Sequence, residues 1–182
     1  MSVNRSQITG WQELRQLAQH DDLPLGDTQI VVSIDQQVLW LVDHQHTQYY
    51  KVSTSRFGTG QQTGSFQTPL GLHRIVEKVG ADVPALGILK SRCFTGECAV
   101  ADQQTDEDVI TSRILWLQGL QPGFNAGGEV DSKQRYIYIH GTADEAHIGQ
   151  PASIGCIRML NQDVISLFDN VQQGTLVYIH QA

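Results

Sequence analysis

Short runs of β-branched and apolar residues, each cut off by turn formers, constrain this chain more than any other feature. Residues 29–33 and 38–42 are two such runs, separated by Asp35-Gln36-Gln37, and residues 49–54 follow after a second polar turn. Runs of this length joined by short polar turns predict an antiparallel meander. Residues 135–140 alternate and are rich in Tyr and Ile, and residues 176–179 supply a closing strand.

Helical spacing is confined to three stretches. Ile8, Trp11, Leu14, Leu17 and Ala18 predict a short helix that stops at the breaker cluster of residues 21–26. Thr105-Asp106-Glu107-Asp108 has the form of a capping box ahead of Val109, Ile110, Arg113, Ile114 and Leu117, which predicts a helix toward Gly119. Val164, Ile165, Leu167, Phe168 and Val171 form the stripe of a third, with Asn161 as N-cap and Asp163 at its positive end. Residues 80–104 follow no period, and the breakers of residues 121–128 predict an exposed loop. Composition, with 17 glycines and few charges, suits a compact globular protein rich in strands and turns.

At 182 residues the chain is long enough for one domain. We expect residues 1–28 to be a helical extension and residues 29–182 the functional domain. Twelve basic against 19 acidic side chains give a net charge of −7, which argues against nucleic-acid binding. No apolar run has the length of a signal peptide's core or of a membrane helix. With three cysteines suited to a reducing compartment, the expectation is a cytoplasmic protein without membrane insertion. Cys93 and Cys98 can in principle pair, but such bonds are rare in that compartment.

Three motifs bear on chemistry. The glycine-rich residues 58–65 lack the Lys-Ser/Thr ending of a phosphate loop. His44 and His46 form an HxH pair with no third ligand nearby. The third is His140-Gly141-Thr142, followed by Ser153-Ile154-Gly155-Cys156-Ile157-Arg158-Met159. A thiol with an imidazole is the minimum kit for nucleophilic catalysis, since the imidazole can take the thiol proton. A histidine at a strand end and a cysteine in a glycine turn can supply it, and the N–H groups of Gly155 and Cys156 are candidate oxyanion donors. If the chain after Cys156 is extended, Arg158 faces the same side and can clamp a carboxylate. Two other readings stand beside this one: a buried structural cysteine, and a zinc site of His140, His147 and Cys156, whose spacings match no common pattern.

These motifs resemble the L,D-transpeptidase catalytic domain, the YkuD family, whose signature is His-Gly-Thr followed by Ser-His-Gly-Cys-Ile-Arg-Met. Ser53-Thr54-Ser55, Gly58-Thr59-Gly60, Thr68-Pro69-Leu70-Gly71 and the tail Gly174-Thr175-Leu176-Val177-Tyr178-Ile179 also resemble it, so the similarity spans roughly residues 29–180. It implies a mainly β fold, a β-rich α+β sandwich-like domain with short peripheral helices, no cofactor and no metal, with Cys156 as nucleophile, His140 as general base and the Gly141 carbonyl orienting that histidine. It also implies attack on the L,D bond before the terminal D-alanine of a peptidoglycan tetrapeptide stem, carried by a muropeptide or a nucleotide, with carbapenems as covalent inhibitors.

The candidate substrate contacts are Arg158, Tyr138, Ser153, Ile154 and Arg135, with Arg92, Arg113 and Lys133 as further carboxylate binders. The one departure from the signature is Ile154, which stands where the family has a second histidine. An isoleucine keeps the backbone amide and loses the imidazole, a change that disfavours a charged amine acceptor and leaves water to resolve the thioester. The expected activity is an L,D-carboxypeptidase of peptidoglycan recycling. The alternatives are an envelope transpeptidase that forms cross-links or exchanges D-amino acids, and a catalytically silent muropeptide-binding module.

Overall fold

The computed structural model describes residues 5–102 and 108–182. In chain order it contains α1 (Trp11–His20), β1 (Thr28–Ser33), β2 (Val38–Asp43), β3 (Thr47–Ser53), β4 (Gly71–Val79), β5 (Gly87–Lys90), β6 (Cys93–Cys98), β7 (Ile110–Gly119), β8 (Tyr138–Thr142), β9 (Ile157–Met159), α2 (Asn161–Asn170) and β10 (Leu176–His180). β1, β2 and β3 form the expected antiparallel meander. Its first turn is held by Gln37, whose buried side chain donates to the Ile34 carbonyl and to Thr54 Oγ1, both at 2.7 Å.

The sheet runs β4-β10-β1-β2-β3-β9-β8-β7, and β4 also pairs with β7, so it closes on itself. Closure removes the exposed edges that an open sheet of this length would present. The enclosed face packs Ile30, Val32, Leu39, Val52, Ile139, Ile157 and Ile179 against Val164, Leu167 and Phe168 of α2. Each such side chain contributes about 1.5–3 kcal/mol on burial. On the opposite face of β1, Val31 packs with Trp11, Leu14 and Ala18 of α1. Both faces of β1 are therefore covered, which is why it reads as an unbroken apolar run rather than an alternation.

The structure departs from the sequence expectations at five places. The helix expected toward Gly119 is strand β7, which lies between β4 and β8 with most of its residues buried and none exposed, so its apolar residues show no period of two. Thr105, Asp106 and Glu107 of the supposed capping box lie outside the described residues. Asn161 is the first residue of α2 rather than its cap, Leu160 holds the cap position, and the Asn161 side chain is buried. The strand expected over residues 135–140 starts at Tyr138 and runs on to Thr142, because Tyr136 takes a left-handed φ of +56°. His140 is consequently mid-strand.

Residues 80–104 contain the β5–β6 hairpin, joined to β7 where Ile88 pairs with Thr111. In the loop of residues 121–128, Asn125 is fully buried and its Nδ2 donates to the Leu70 and Leu72 carbonyls at 3.0 and 3.1 Å. No helix among the described residues is long and apolar enough to cross a membrane.

Candidate active site

β8 and β9 lie side by side and parallel, with Ile139 beside Ile157 and His140 beside Arg158. Ile139, Ile157 and Met159 point into the main core. Strand alternation therefore puts Tyr138, His140 and Arg158 on the other face, with Cys156 one step before β9 on that side. The thiol is half-buried between two backbone groups. The Tyr138 N–H donates to Sγ and Sγ donates to the Tyr136 carbonyl, each at 3.4 Å.

The turn that presents Cys156 needs glycine at position 155, where φ is +130°. Ser153 closes the turn: its Oγ donates to the Cys156 carbonyl at 2.6 Å and accepts the Gly155 N–H at 3.2 Å. The segments noted around residues 53–55 and 68 clamp it from outside. The Ala152 and Ser153 amides both donate to the Thr54 carbonyl at 2.9 Å, and the Arg56 amide donates to the Ser153 carbonyl at 3.0 Å. Thr68 Oγ1 donates to the Gly155 carbonyl at 3.0 Å and accepts the Ser55 amide at 3.0 Å. Polar residues spread over a hundred positions thus converge on one loop, and their common job is its rigidity.

His140 is buried, and its Nδ1 lies 2.6 Å from the Gly141 carbonyl. A carbonyl can only accept, so Nδ1 carries the proton and Nε2 keeps its lone pair. Burial lowers the His140 pKa, while the Asp108 charge and the Gly141 carbonyl oppose the shift and Arg158 adds to it. Burial likewise pushes the Cys156 thiol up to about 12, against the opposing Tyr138 N–H. Near neutral pH the thiol and the imidazole are therefore both neutral at rest, and the thiol proton is directed to the Tyr136 carbonyl. Such a pair can attack a carbonyl only if Nε2 takes the proton as sulfur adds.

The strand end carrying His140 is fixed by a buried polar hub. Asn161 Oδ1 accepts from Thr111 and Ser112 at 2.6 and 2.5 Å, and Nδ2 donates to the Thr142 carbonyl at 2.8 Å and to Glu145 at 2.7 Å. Gly141 fits beneath this hub because it has no side chain: a Cβ would stand 2.6 Å from the Thr111 carbonyl oxygen and 2.8 Å from Asn161 Oδ1. Gly141→Ala is expected to cost about 1–3 kcal/mol through forced strand displacement, read as a lower denaturation midpoint, together with reduced turnover as His140 shifts.

Several expected contacts have other employment. Arg158 is nearly buried and ion-paired to Asp108 at 2.8 Å and to Asp144 at 3.3 Å, so it stabilises the floor beside His140 instead of presenting a free clamp. Arg135 donates to the carbonyls of Gly60, Gln61 and Gln67 and fastens the glycine-rich loop. Arg113 donates to the Val83 and Ser112 carbonyls. Ser153 is fully buried, and Gly155 N–H is spent on it, which leaves the Cys156 N–H as the oxyanion donor to consider. His147 is paired with Asp144 at 2.6 Å.

Tyr138 is buried, and its hydroxyl accepts from Arg92 at 3.2 Å; Lys133 lies over Trp116, and Ile154 is 42% exposed. Two residues of the site were missed. In the sequence Asp108 fits part of a helix cap and Asn161 fits a cap itself. Neither has a local pattern that separates those roles from the ones found.

The family model for the L,D-transpeptidase catalytic domain, YkuD, matches residues 27–179. The Bacillus subtilis L,D-transpeptidase relative YkuD is 54% identical over 50 residues, a stretch covering 28% of this chain and 30% of that protein. The matched stretch is thus under a third of the relative's length. Among solved structures, L,D-transpeptidase 3 of Mycobacterium tuberculosis with a faropenem-derived adduct aligns with a TM-score of 0.55 at 14% identity, covering 85% of this chain and 60% of that one. An Enterococcus faecium L,D-transpeptidase aligns at 0.54 and 17% identity, covering 87% and 52%. These likenesses concern the fold, whereas the sequence match spans the strands, the clamped turn and the histidine strand together, and this chain belongs to the YkuD family of L,D-transpeptidase catalytic domains.

Proposed function

We propose that this chain is an L,D-carboxypeptidase that removes the terminal D-alanine from peptidoglycan tetrapeptide stems in the cytoplasm, as a step of peptidoglycan recycling. The observation that carries the choice of hydrolysis is Ile154, exposed two residues before Cys156 in place of the second signature histidine. An apolar side chain there offers nothing to an incoming ammonium and does not hinder water.

In this reading Sγ of Cys156 attacks the carbonyl of the diamino acid as His140 Nε2 takes the thiol proton. The Cys156 N–H faces the developing oxyanion. Collapse breaks the C–N bond, the imidazolium returns its proton to the leaving amine, and D-alanine departs from a thioester. Water then adds with His140 as base, breaking the C–S bond to give the tripeptide carboxylate and restoring the thiol.

The test is to incubate pure protein with a soluble tetrapeptide stem, free and nucleotide-linked, and resolve products by mass. Tripeptide and free D-alanine in equal amounts are expected. Cross-linked dimers as the main product would replace hydrolysis with transpeptidation, and no release from either substrate would sink the proposal. Since the M. tuberculosis neighbour carries a faropenem-derived adduct, β-lactams of the penem and carbapenem kind are expected to acylate Cys156. A silent binding module would resist that acylation.

A further inference from the structure

The β5–β6 hairpin turns at Ser91 and Arg92, both left-handed at φ +50° and +65°, a tight turn of the kind that holds a hairpin tip rigid. From this tip the Arg92 guanidinium lies over the Trp116 ring at 4.5 Å and near the Tyr136 ring at 5.7 Å. Its Nη1 donates to the Tyr138 hydroxyl at 3.2 Å. Tyr138 is the residue whose backbone N–H holds the Cys156 sulfur. One tyrosine side chain therefore separates the thiol from the guanidinium.

The other arginines near the site are committed, Arg158 to two carboxylates and Arg135 and Arg113 to backbone carbonyls. Among the described residues Arg92 makes one hydrogen bond, to a neutral hydroxyl, and no ion pair; Glu77 acts on it only through space. A guanidinium has five donors in a planar fork, so most of this one remains for a ligand. The aromatic faces hold it in place before any ligand arrives, which lowers the entropic cost of using it.

We propose that Arg92 is the receptor for the free carboxylate of the residue that leaves, and so makes the site selective for a chain end. This rests on the carboxypeptidase reading above. The carboxyl carbon of the leaving residue lies about one residue length, ~3.8 Å, beyond the attacked carbonyl. A charge-assisted N–H···O contact adds about 2.8 Å. That reach suits a guanidinium standing one tyrosine away from the nucleophile. A substrate continuing past this residue would put a neutral amide against the fork and lose the charged contact.

Three forms of the tetrapeptide test it: the free acid, the same peptide amidated at its terminal D-alanine, and the same peptide amidated at the side-chain carboxyl of the diamino acid. Wild-type kcat/KM should fall about 10–100-fold for the terminal amide and little for the other. Arg92→Asn, which suits a left-handed turn, should bring the acid-to-terminal-amide ratio close to one, and Arg92→Lys should give an intermediate ratio. Equal wild-type rates on acid and terminal amide, or an undiminished ratio in Arg92→Asn, would overturn the assignment while leaving the peptidase reading intact. Sensitivity to the diamino acid amide instead, lost in Arg92→Asn, would also overturn it by moving the carboxylate to the other residue. Wild-type protein inactive on all three would overturn both readings together.

Discussion

Alanine at position 156 is expected to abolish turnover while leaving the fold in place. The remaining free cysteines, Cys93 and Cys98, lie on β6 and not in the clamped turn. Removal of a nucleophile leaves only what binding and the oxyanion donor supply, so the loss should reach at least about 10³-fold. The structural cost is small. Cys156 is half-buried and packs at the edge of a minor cluster with Tyr138, Ile114 and Leu89. Its two sulfur contacts at 3.4 Å are weak ones. The melting temperature should shift by no more than a few degrees, as expected for about 1 kcal/mol or less. Residual D-alanine release near the parent rate, measured on the folded variant, would remove Cys156 from the mechanism.

Replacing His140 with glutamine is expected to have the next largest effect. The resting thiol is neutral and held up to about 12 by burial, so it cannot attack as a preformed thiolate near neutral pH. Loss of the base should lower kcat/KM by about 10²–10⁴-fold. The pH profile distinguishes this from a structural defect. His140 must be unprotonated to accept the thiol proton, and burial lowers its pKa from 6.5. The parent rate should therefore rise with pH on an acid limb below 6.5 and be level by neutrality. In His140→Gln that limb should vanish and the residual rate should climb with hydroxide toward the thiol's own pKa. The same shift has a stability consequence with a definite sign. The unfolded histidine binds a proton near 6.5 and the folded one resists it, so stability present above that pH is lost as pH falls below it. His73, buried and lowered to about 4 between the Gly71 carbonyl and Ser132, adds to the loss between those values.

What was legible in the sequence was whatever has a local period or a contiguous motif. The β1–β3 meander, β10, α1 and the stripe of α2 could be read because each carries its own apolar pattern between turn residues. The cysteine turn could be read because its motif is contiguous; the Gly141 carbonyl, which lies 2.6 Å from His140 Nδ1, comes from the family resemblance. β7 could not, since burial on both faces erases alternation and leaves apolar spacings that also fit a helix. The β5–β6 hairpin was hidden by its bulged register, in which Cys98 pairs with Gly87 while Phe94 pairs with Leu89. Arg158, Arg135 and Arg113 carry no sequence mark of their partners. Their engagement with Asp108, the glycine-rich loop and Val83 depends on contacts closed by the fold. Only with those three accounted for does Arg92 stand apart.

In the proposed reaction Cys156 forms a thioester with the stem through its diamino acid. Rapid quenching in acid after mixing protein with excess tetrapeptide, followed by intact mass and peptide mapping, tests it directly. A mass increase equal to the tripeptide acyl group is expected, located on the peptide containing Cys156 and absent from Cys156→Ala. Turnover without any such adduct, or with the acyl group on another residue, would contradict it.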